Sequence, residues 1–270
     1  MMPNNRCLIT DEEVPIPLSL NQDKRIIIFS GAGISAPSGL ATFRNNNGEG
    51  LWDEYKIAKV CNIKRWKENI HLVHEFYNTR RDELRTAIPN NAHKSISNIM
   101  KRYGFNNVYN ITQNVDDLFE RAGVEKTLHL HGELTKINCV KCSTTWDIKY
   151  DKVDIDKWKC DHCGSKDGVK PKIVFFGETA PMYTYLKRAL LAGLNKDTII
   201  IIIGTSGSVI NIAHLIEDLG CHKILCNTEP SEHLPEEIFD KIYFENISSA
   251  MPKIEDDIRA IWNESESDKR

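Results

Sequence analysis

Four short aliphatic runs, each ending in a turn or a small residue, set the fold class of this chain. Arg25 to Ser30 (RIIIFS) stops at Gly31 and has the profile of a strand buried on both faces. Asn107 to Thr112 (NVYNIT), Asp197 to Gly204 (DTIIIIIG) and Lys223 to Cys226 (KILC) are runs of the same kind. Helix-like stretches lie between them: Leu72 to Ala87, Ala92 to Tyr103, Val115 to Ala122 and Val209 to Leu219. Strands alternating with helices predict an α/β fold, a doubly wound parallel sheet covered on both faces. The 270 residues suffice for one large domain with a small inserted module.

Two segments break this rhythm. From about 136 to 172 the chain holds paired cysteines and few apolar residues, as expected of a small inserted module. From Ala41 to Ile70 it is polar and Asn/Gly-containing at its start, with no clear period. Long connections of that kind serve as binding loops or lids. Residues 1–24 read as an irregular leader, 25–263 as the main domain and 264–270 as a charged, frayed tail.

A net charge of -3 gives no electrostatic case for nucleic-acid binding. A macromolecular partner would therefore be recognised locally, in a groove. No apolar stretch approaches the ~20 residues that span a bilayer. Residues 1–20 lack the basic-then-apolar order of a secretory signal. The expected location is cytoplasmic, where eight cysteines serve as metal ligands or buried thiols in preference to disulfides.

Gly31-Ala32-Gly33-Ile34-Ser35-Ala36 fits the G-x-G-x-x-G/A dinucleotide fingerprint directly after a strand. Glycines there let the backbone turn tightly and approach a pyrophosphate seated on a helix N-terminus. A hydride-transferring enzyme should carry an acidic residue at the end of a second strand about 20 residues on. Glu49 and Asp53 lie at that distance, but in a loop-like segment. The motif therefore indicates a dinucleotide site more clearly than it indicates redox chemistry.

Cys139-x-x-Cys142 and Cys160-x-x-Cys163, with 17 residues between the pairs, have the spacing of two zinc knuckles. Four protein thiolates leave the metal no open position, so the expected Zn²⁺ is structural. A redox dithiol would not need a second copy at that spacing.

Taken together, these blocks resemble the sirtuin (Sir2) family. GAGISAPSGLATFR (Gly31 to Arg44), TQNVDDLFERAG (Thr112 to Gly123), LHLHGEL (Leu128 to Leu134), both C-x-x-C pairs, VFFGE (Val174 to Glu178) and GTS (Gly204 to Ser206) stand in the family's order. The resemblance runs from about Arg25 to Ile247. It implies a Rossmann-like domain with a small zinc-binding domain, the cleft between them taking NAD and an acyl-lysine peptide from opposite sides. A monomer is expected, with no direct nucleic-acid binding and no membrane association.

By the same resemblance, Gly31, Ala32, Gly33, Phe43 and Arg44 would line the NAD site. Gln113, Asn114 and Asp116 would hold the nicotinamide and its ribose, while Gly204, Thr205, Ser206, Asn227, Glu229 and Ile247 would sit on the adenosine side. His131 would be the catalytic base, with Asn114 beside it, and His129 a packing residue. The implied reaction is NAD-dependent deacylation of lysine, giving nicotinamide, free lysine and 2′-O-acyl-ADP-ribose. A histidine suits a base that takes and returns a proton near neutral pH. Val174, Phe175 and Phe176 would form a tunnel wall and main-chain bonds to an extended substrate.

Tyr77 and Arg80 share a helix face and resemble the Tyr-x-x-Arg of class III sirtuins, which implies binding of the distal carboxylate of succinyl- or malonyl-lysine. Arg81 is expected to be solvated. Three departures from the family stand out: a loop between Arg44 and Trp52 about two residues longer than in close relatives, Asn211 where bacterial members have proline, and Thr228 in place of an apolar residue. An NAD hydrolase or ADP-ribosyltransferase of the same family is the alternative. His131, the zinc knuckles and VFFGE argue against it, because plain NAD hydrolysis needs no peptide cleft. An intact His131 and Asn114 argue against a silent acyl-lysine or NAD reader.

Overall fold

In the computed structural model, residues 24–41, 59–191 and 196–267 are described. Strand β1 (Arg25–Ser30) is buried at every position and lies at the centre of the main sheet. It pairs in parallel with β2 (Val108–Thr112) on one side and with β7 (Thr198–Ile203) on the other. Beyond β2 lies β3 (Thr127–His129). Beyond β7 lie β8 (His222–Asn227) and β9 (Lys241–Phe244).

The order β3-β2-β1-β7-β8-β9 is that of the dinucleotide-binding sheet, with the direction of winding reversing between β1 and β7. At such a switch point the carboxyl ends of neighbouring strands open a crevice, and here Gly31 and Gly204 flank it. The four aliphatic runs are all strands of this sheet. Each is buried because helices cover both faces.

On one face pack α2 (Asn91–Tyr103) and α6 (Ile247–Ser267), which bury Ile96, Met100, Ile254 and Ile258 against Ile26, Ile28 and Ile201. On the other lie α4 (Tyr183–Leu191) and α5 (Ile212–Ile216), against Ile27, Phe29, Ile200 and Ile202. The expected helix over 115–122 is confined to the single turn α3 (Leu118–Arg121), because Asn114 and Asp116 are drawn into side-chain bonds with Ser35. The helix expected over 209–219 is likewise only five residues long. Asn211 caps it, its side chain accepting from the His214 amide. Helix α6 lies beyond the helix-like stretches named from sequence and holds Pro252 within it.

Between β3 and α4 the chain builds a second, antiparallel sheet in the order β5-β4-β6: β4 (Gly132–Cys139), β5 (Thr145–Asp147) and β6 (Val169–Ile173). Its own small core holds Ile137, Val153 and Val169, with Trp146 and Trp158 in edge-to-face contact. Helix α1 (Ile70–Thr86) joins the two sheets through a third core of Val73, Tyr77, Leu84, Leu134, Ile173 and Phe175. The functional cleft opens along this junction.

Candidate active site

The glycine turn is shaped first by its neighbour. A Cβ on Gly33 would lie 2.6 Å from the Gly204 Cα, and one on Gly31 would lie 2.8 Å from the Gly204 carbonyl oxygen. The Gly33 amide donates to that same carbonyl at 2.8 Å. Gly204 itself has φ +60, in the left-handed region that favours glycine. Two glycine turns therefore interlock at the switch point. The described residues that follow form only 3-10 turns, Ala32–Ile34 and Ala36–Ser38, and the helix N-terminus expected there is not among them. Anion-binding groups at this turn are loop amides, since the chain is held too tightly against Gly204 to enter an α-helix at once.

The end of β2 supplies a bonded set of polar side chains. Ser35 donates to Asp116 at 2.9 Å and accepts from the Asn114 amide at 3.0 Å. Asp116 also accepts from the Leu118 amide at 3.2 Å. Its burial pushes the carboxyl pKa up, against the Leu118 and Ser35 bonds that hold it down. Gln113 donates to the Thr205 hydroxyl at 2.9 Å, tying the ends of β2 and β7 together. Asn227 bonds Thr205 through both main-chain groups, accepting from its amide and donating to its carbonyl.

Two histidines on alternate residues are bonded to consecutive carbonyls. The Nδ1 of His131 lies 2.9 Å from the Gln113 oxygen and the Nδ1 of His129 lies 2.8 Å from the Asn114 oxygen. A carbonyl only accepts, so each Nδ1 carries the proton. The rings then diverge. The Nε2 of His129 meets the Glu120 carboxylate at 3.1 Å. Burial opposes its charge, but Glu120 and the Asn114 carbonyl more than compensate and hold its pKa at about 9. His129 is thus drawn toward its charged form and tied to the Asn114 segment, where sequence suggested only a packing residue; the partner responsible, Glu120, comes from α3.

His131 has no such carboxylate. Burial lowers its pKa against the Gln113 bond, so Nε2 is a lone pair facing the cleft. It accepts from the Tyr183 hydroxyl at 2.7 Å. Tyr183, at the start of α4, escaped the sequence reading because no motif marks it.

Helix α1 forms the opposite wall. Tyr77 is 3% exposed and stacks on Phe175, with ring centroids 5.9 Å apart. Arg80 lies over the Phe76 ring and donates from Nη2 to Glu83 at 2.6 Å. Arg81 points the other way. It is 0% exposed, donating to the Asp151 carbonyl at 3.1 Å and to Asn78 at 2.5 Å. The expectation that it is solvated is overturned: successive helical residues are rotated by about 100°, which turns Arg81 into the small domain. Burial lowers its pKa to about 10.

The segment Val174 to Glu178 crosses between the two walls. Its amides and carbonyls are largely engaged: Val174 donates to the His131 carbonyl, Phe176 donates to Cys61 and accepts from Ile63, and Phe175 donates to the Glu178 carboxylate. Phe176 therefore has its amide and carbonyl engaged within the chain and its ring 53% exposed. Glu178 also pairs with buried Lys170 at 2.9 Å, which pins this crossing from below.

One continuous cleft is lined by Gly31, Ala32, Gly33, Gln113, Asn114, Asp116, His131, Gly204, Thr205, Ser206, Asn227, Glu229 and Ile247, and by Tyr77, Arg80, Val174, Phe175 and Phe176. Phe43, Arg44 and the longer loop after them lie outside the described residues. Thr228 also lines the cleft, beside Asn227.

Residues 31–211 match the model of the Sir2 family. The chain belongs to the Sir2 family. Among its relatives is an NAD-dependent protein deacylase of Campylobacter jejuni, 43% identical over 235 residues that cover 87% of this chain and 96% of the relative. Another is the NAD-dependent protein deacylase of Helicobacter hepaticus, 39% identical and covering 88% and 98%. A Sir2 homologue solved as an ADP-ribose complex superposes with TM-score 0.75 at 30% identity, covering 90% of this chain and 94% of that one. A Sir2 homologue–NAD complex superposes with TM-score 0.74 at 30% identity, covering 88% and 91%.

The four cysteines of this sirtuin fit a structural zinc. All four sulfurs lie within 4.8 Å of one another. Two of the separations, Cys139 to Cys163 at 3.7 Å and Cys142 to Cys160 at 3.5 Å, approach the ~3.8 Å between sulfurs of a tetrahedron with bonds of about 2.3 Å. The two knuckles repeat each other. Ser143 donates to the Cys139 carbonyl and Gly164 to the Cys160 carbonyl, both at 2.8 Å. Both turn residues have positive φ, 63 and 70. The cluster stands at the far end of β4 from the Gly132 end that meets the cleft, which suits a scaffold and not a catalytic metal.

Proposed function

We propose that this chain is an NAD-dependent protein-lysine deacylase that removes acetyl groups and also succinyl or malonyl groups. The products would be nicotinamide, free lysine and 2′-O-acyl-ADP-ribose. The observation that carries this reading is the placement of His131: Nδ1 lies 2.9 Å from the Gln113 carbonyl, the ring lines the cleft, and burial lowers its pKa. A ring held neutral by burial is a base ready to take a proton from a ribose hydroxyl. The relatives named NAD-dependent protein deacylase and the NAD-bound and ADP-ribose-bound homologues support the same reading.

NAD, once bound, would supply the electrophilic ribose carbon that accepts the acyl oxygen. The residues do the rest. The interlocked turns at Gly31 and Gly204 make room for the pyrophosphate, and Asn227, Glu229 and Ile247 flank the adenosine end. Asn114 and Asp116, ordered by Ser35, would orient the nicotinamide and its ribose. The acyl-lysine would enter across Phe176 and run past Phe175 toward Tyr77 and Arg80. An apolar tunnel ending in a phenol and a guanidinium suits a carboxylate-tipped acyl chain. The enzyme would act as a cytoplasmic monomer on protein substrates, with Zn²⁺ on the four cysteines holding the small domain, since a reducing compartment keeps the thiolates available.

The deciding experiment is a mass-spectrometric assay with acetyl- and succinyl-lysine peptides, with and without NAD. Both peptides should be deacylated only with NAD present. The reading fails if neither is deacylated while NAD is still cleaved to free ADP-ribose. Arg80→Met should lower desuccinylation roughly 10- to 100-fold more than deacetylation, the range for losing a charge-assisted bond. Equal losses would mean that Arg80 does not read the acyl group.

A further inference from the structure

Glu83 lies one helical turn after Arg80 on α1 and lines the same cleft. Its Oε1 accepts from Arg80 Nη2 at 2.6 Å. The Arg80 side chain is 16% exposed and that of Glu83 is 39% exposed, so the guanidinium is the inner member of the pair and the carboxylate the outer. The Nη2 nitrogen is shared by both bidentate faces of a guanidinium, the side face with Nε and the end face with Nη1. A carboxylate on Nη2 therefore takes a hydrogen that one of these faces needs and crowds the other.

The rest of the tunnel end is incompletely bonded. Arg80 Nε is buried and has no hydrogen-bond partner among the described residues, and the buried Tyr77 hydroxyl has only the weak Cys61 thiol beside it. A buried donor left unmade is unfavourable by about 1–3 kcal/mol. An oxygen placed between Tyr77 and the Nε side of Arg80 would satisfy both. Its second oxygen would then fall on Nη2, where Glu83 already sits.

We propose that Glu83 is a specificity-determining residue, an internal carboxylate that competes with the substrate's acyl carboxylate for Arg80. With Glu83 in place the tunnel end is a neutral ion pair, which suits acetyl and other uncharged groups. An acidic acyl group must displace Glu83 from Nη2, and it does so against the charge of a second carboxylate. Because Glu83 is over a third exposed, it can swing into water when displaced, and solvent screens the repulsion. The enzyme is thereby biased toward neutral acyl groups without losing the acidic ones. This inference rests on the reading of Arg80 as the acyl-carboxylate receptor.

The test is steady-state kinetics of Glu83→Gln and Arg80→Met on acetyl- and succinyl-lysine peptides of one sequence. Glu83→Gln keeps the shape and removes the charge. It should raise the succinyl-to-acetyl ratio of kcat/KM about five- to tenfold, the change falling on the succinyl KM and not on kcat. Glu83→Asp, which restores a carboxylate, should bring the ratio back toward that of the parent. An unchanged ratio in Glu83→Gln, or a raised succinyl KM, would overturn the proposal while a selective loss in Arg80→Met left the Arg80 reading standing. Equal losses on both peptides in Arg80→Met would overturn that reading and this inference with it.

Discussion

The two ends of the cleft are built on opposite rules. At the β1–β7 end the polar side chains are bonded to one another before any ligand arrives: Ser35 to Asp116 and Asn114, Gln113 to Thr205, and Asn227 to Thr205. At the α1 end Arg80 Nε is buried without a partner among the described residues, and the buried Tyr77 hydroxyl has only the weak Cys61 thiol beside it. A saturated set fixes direction and shape, as a site must for a co-substrate that is always the same. An unsaturated set stores a deficit that a ligand makes good, which is how a site reads a variable group. The contrast is in keeping with the proposal that NAD takes the β-strand end and the acyl chain the helix end.

The sharpest way to break this comparison is at His131, which belongs to the bonded end and whose Nε2 faces the cleft beside the Tyr183 hydroxyl. His131→Ala should reduce kcat/KM by roughly 10²- to 10⁴-fold, the usual span for losing a general base. The loss should be equal for acetyl and succinyl peptides, since this end does not read the acyl group. A loss selective for one acyl group would erase the distinction.

A second prediction concerns stability. His129 holds its proton because Glu120 faces it, with a pKa of about 9 against an ordinary 6.5. A pKa raised by folding contributes stability that is fully present below pH 6.5 and is lost as pH rises toward 9. The contribution is of order 3 kcal/mol at most. Thermal melting of the wild type should therefore fall between pH 6.5 and 9.5 more steeply than that of His129→Gln. Parallel curves would show that His129 is not a buried cation.

The smallest expected effect is at Tyr183. Its hydroxyl donates to His131 Nε2 and so favours the neutral ring. Tyr183→Phe should move the acid limb of the kcat/KM profile upward by roughly half a pH unit, with kcat at high pH changed only a few-fold. An unmoved limb would mean that the Tyr183 contact is broken in the working enzyme and does not tune the base.

Much of this was legible in the chain itself where the determinant is local. The zinc cluster needs only two C-x-x-C turns, because each knuckle closes through main-chain bonds within five residues, Cys139 to Ser143 and Cys160 to Gly164. The aliphatic runs 25–30 and 197–204 announced strands because a strand buried on both faces must be apolar throughout. Helix α6 lies beyond the stretches that read as helical, and the strands of the small sheet were hidden by their mixed polarity. Helical spacing set Arg80 beside Tyr77 and apart from Arg81, but it did not show that Arg81 is buried. Their roles diverge because Asp151 and Asn78 capture one, while the other is left on the cleft.

Sequence thus determined the sheet, the zinc ligands and the family blocks, all of which depend on residue type at short spacing. Only the tertiary structure decided that His129 is paired with Glu120, that Arg81 is buried in the small domain, and that Glu83 and Tyr183 stand against Arg80 and His131. Charge and proton affinity follow from what lies within a few ångströms, and that neighbourhood is assembled from α1, α3, α4 and the ends of the strands, segments that meet only when the sheets pack.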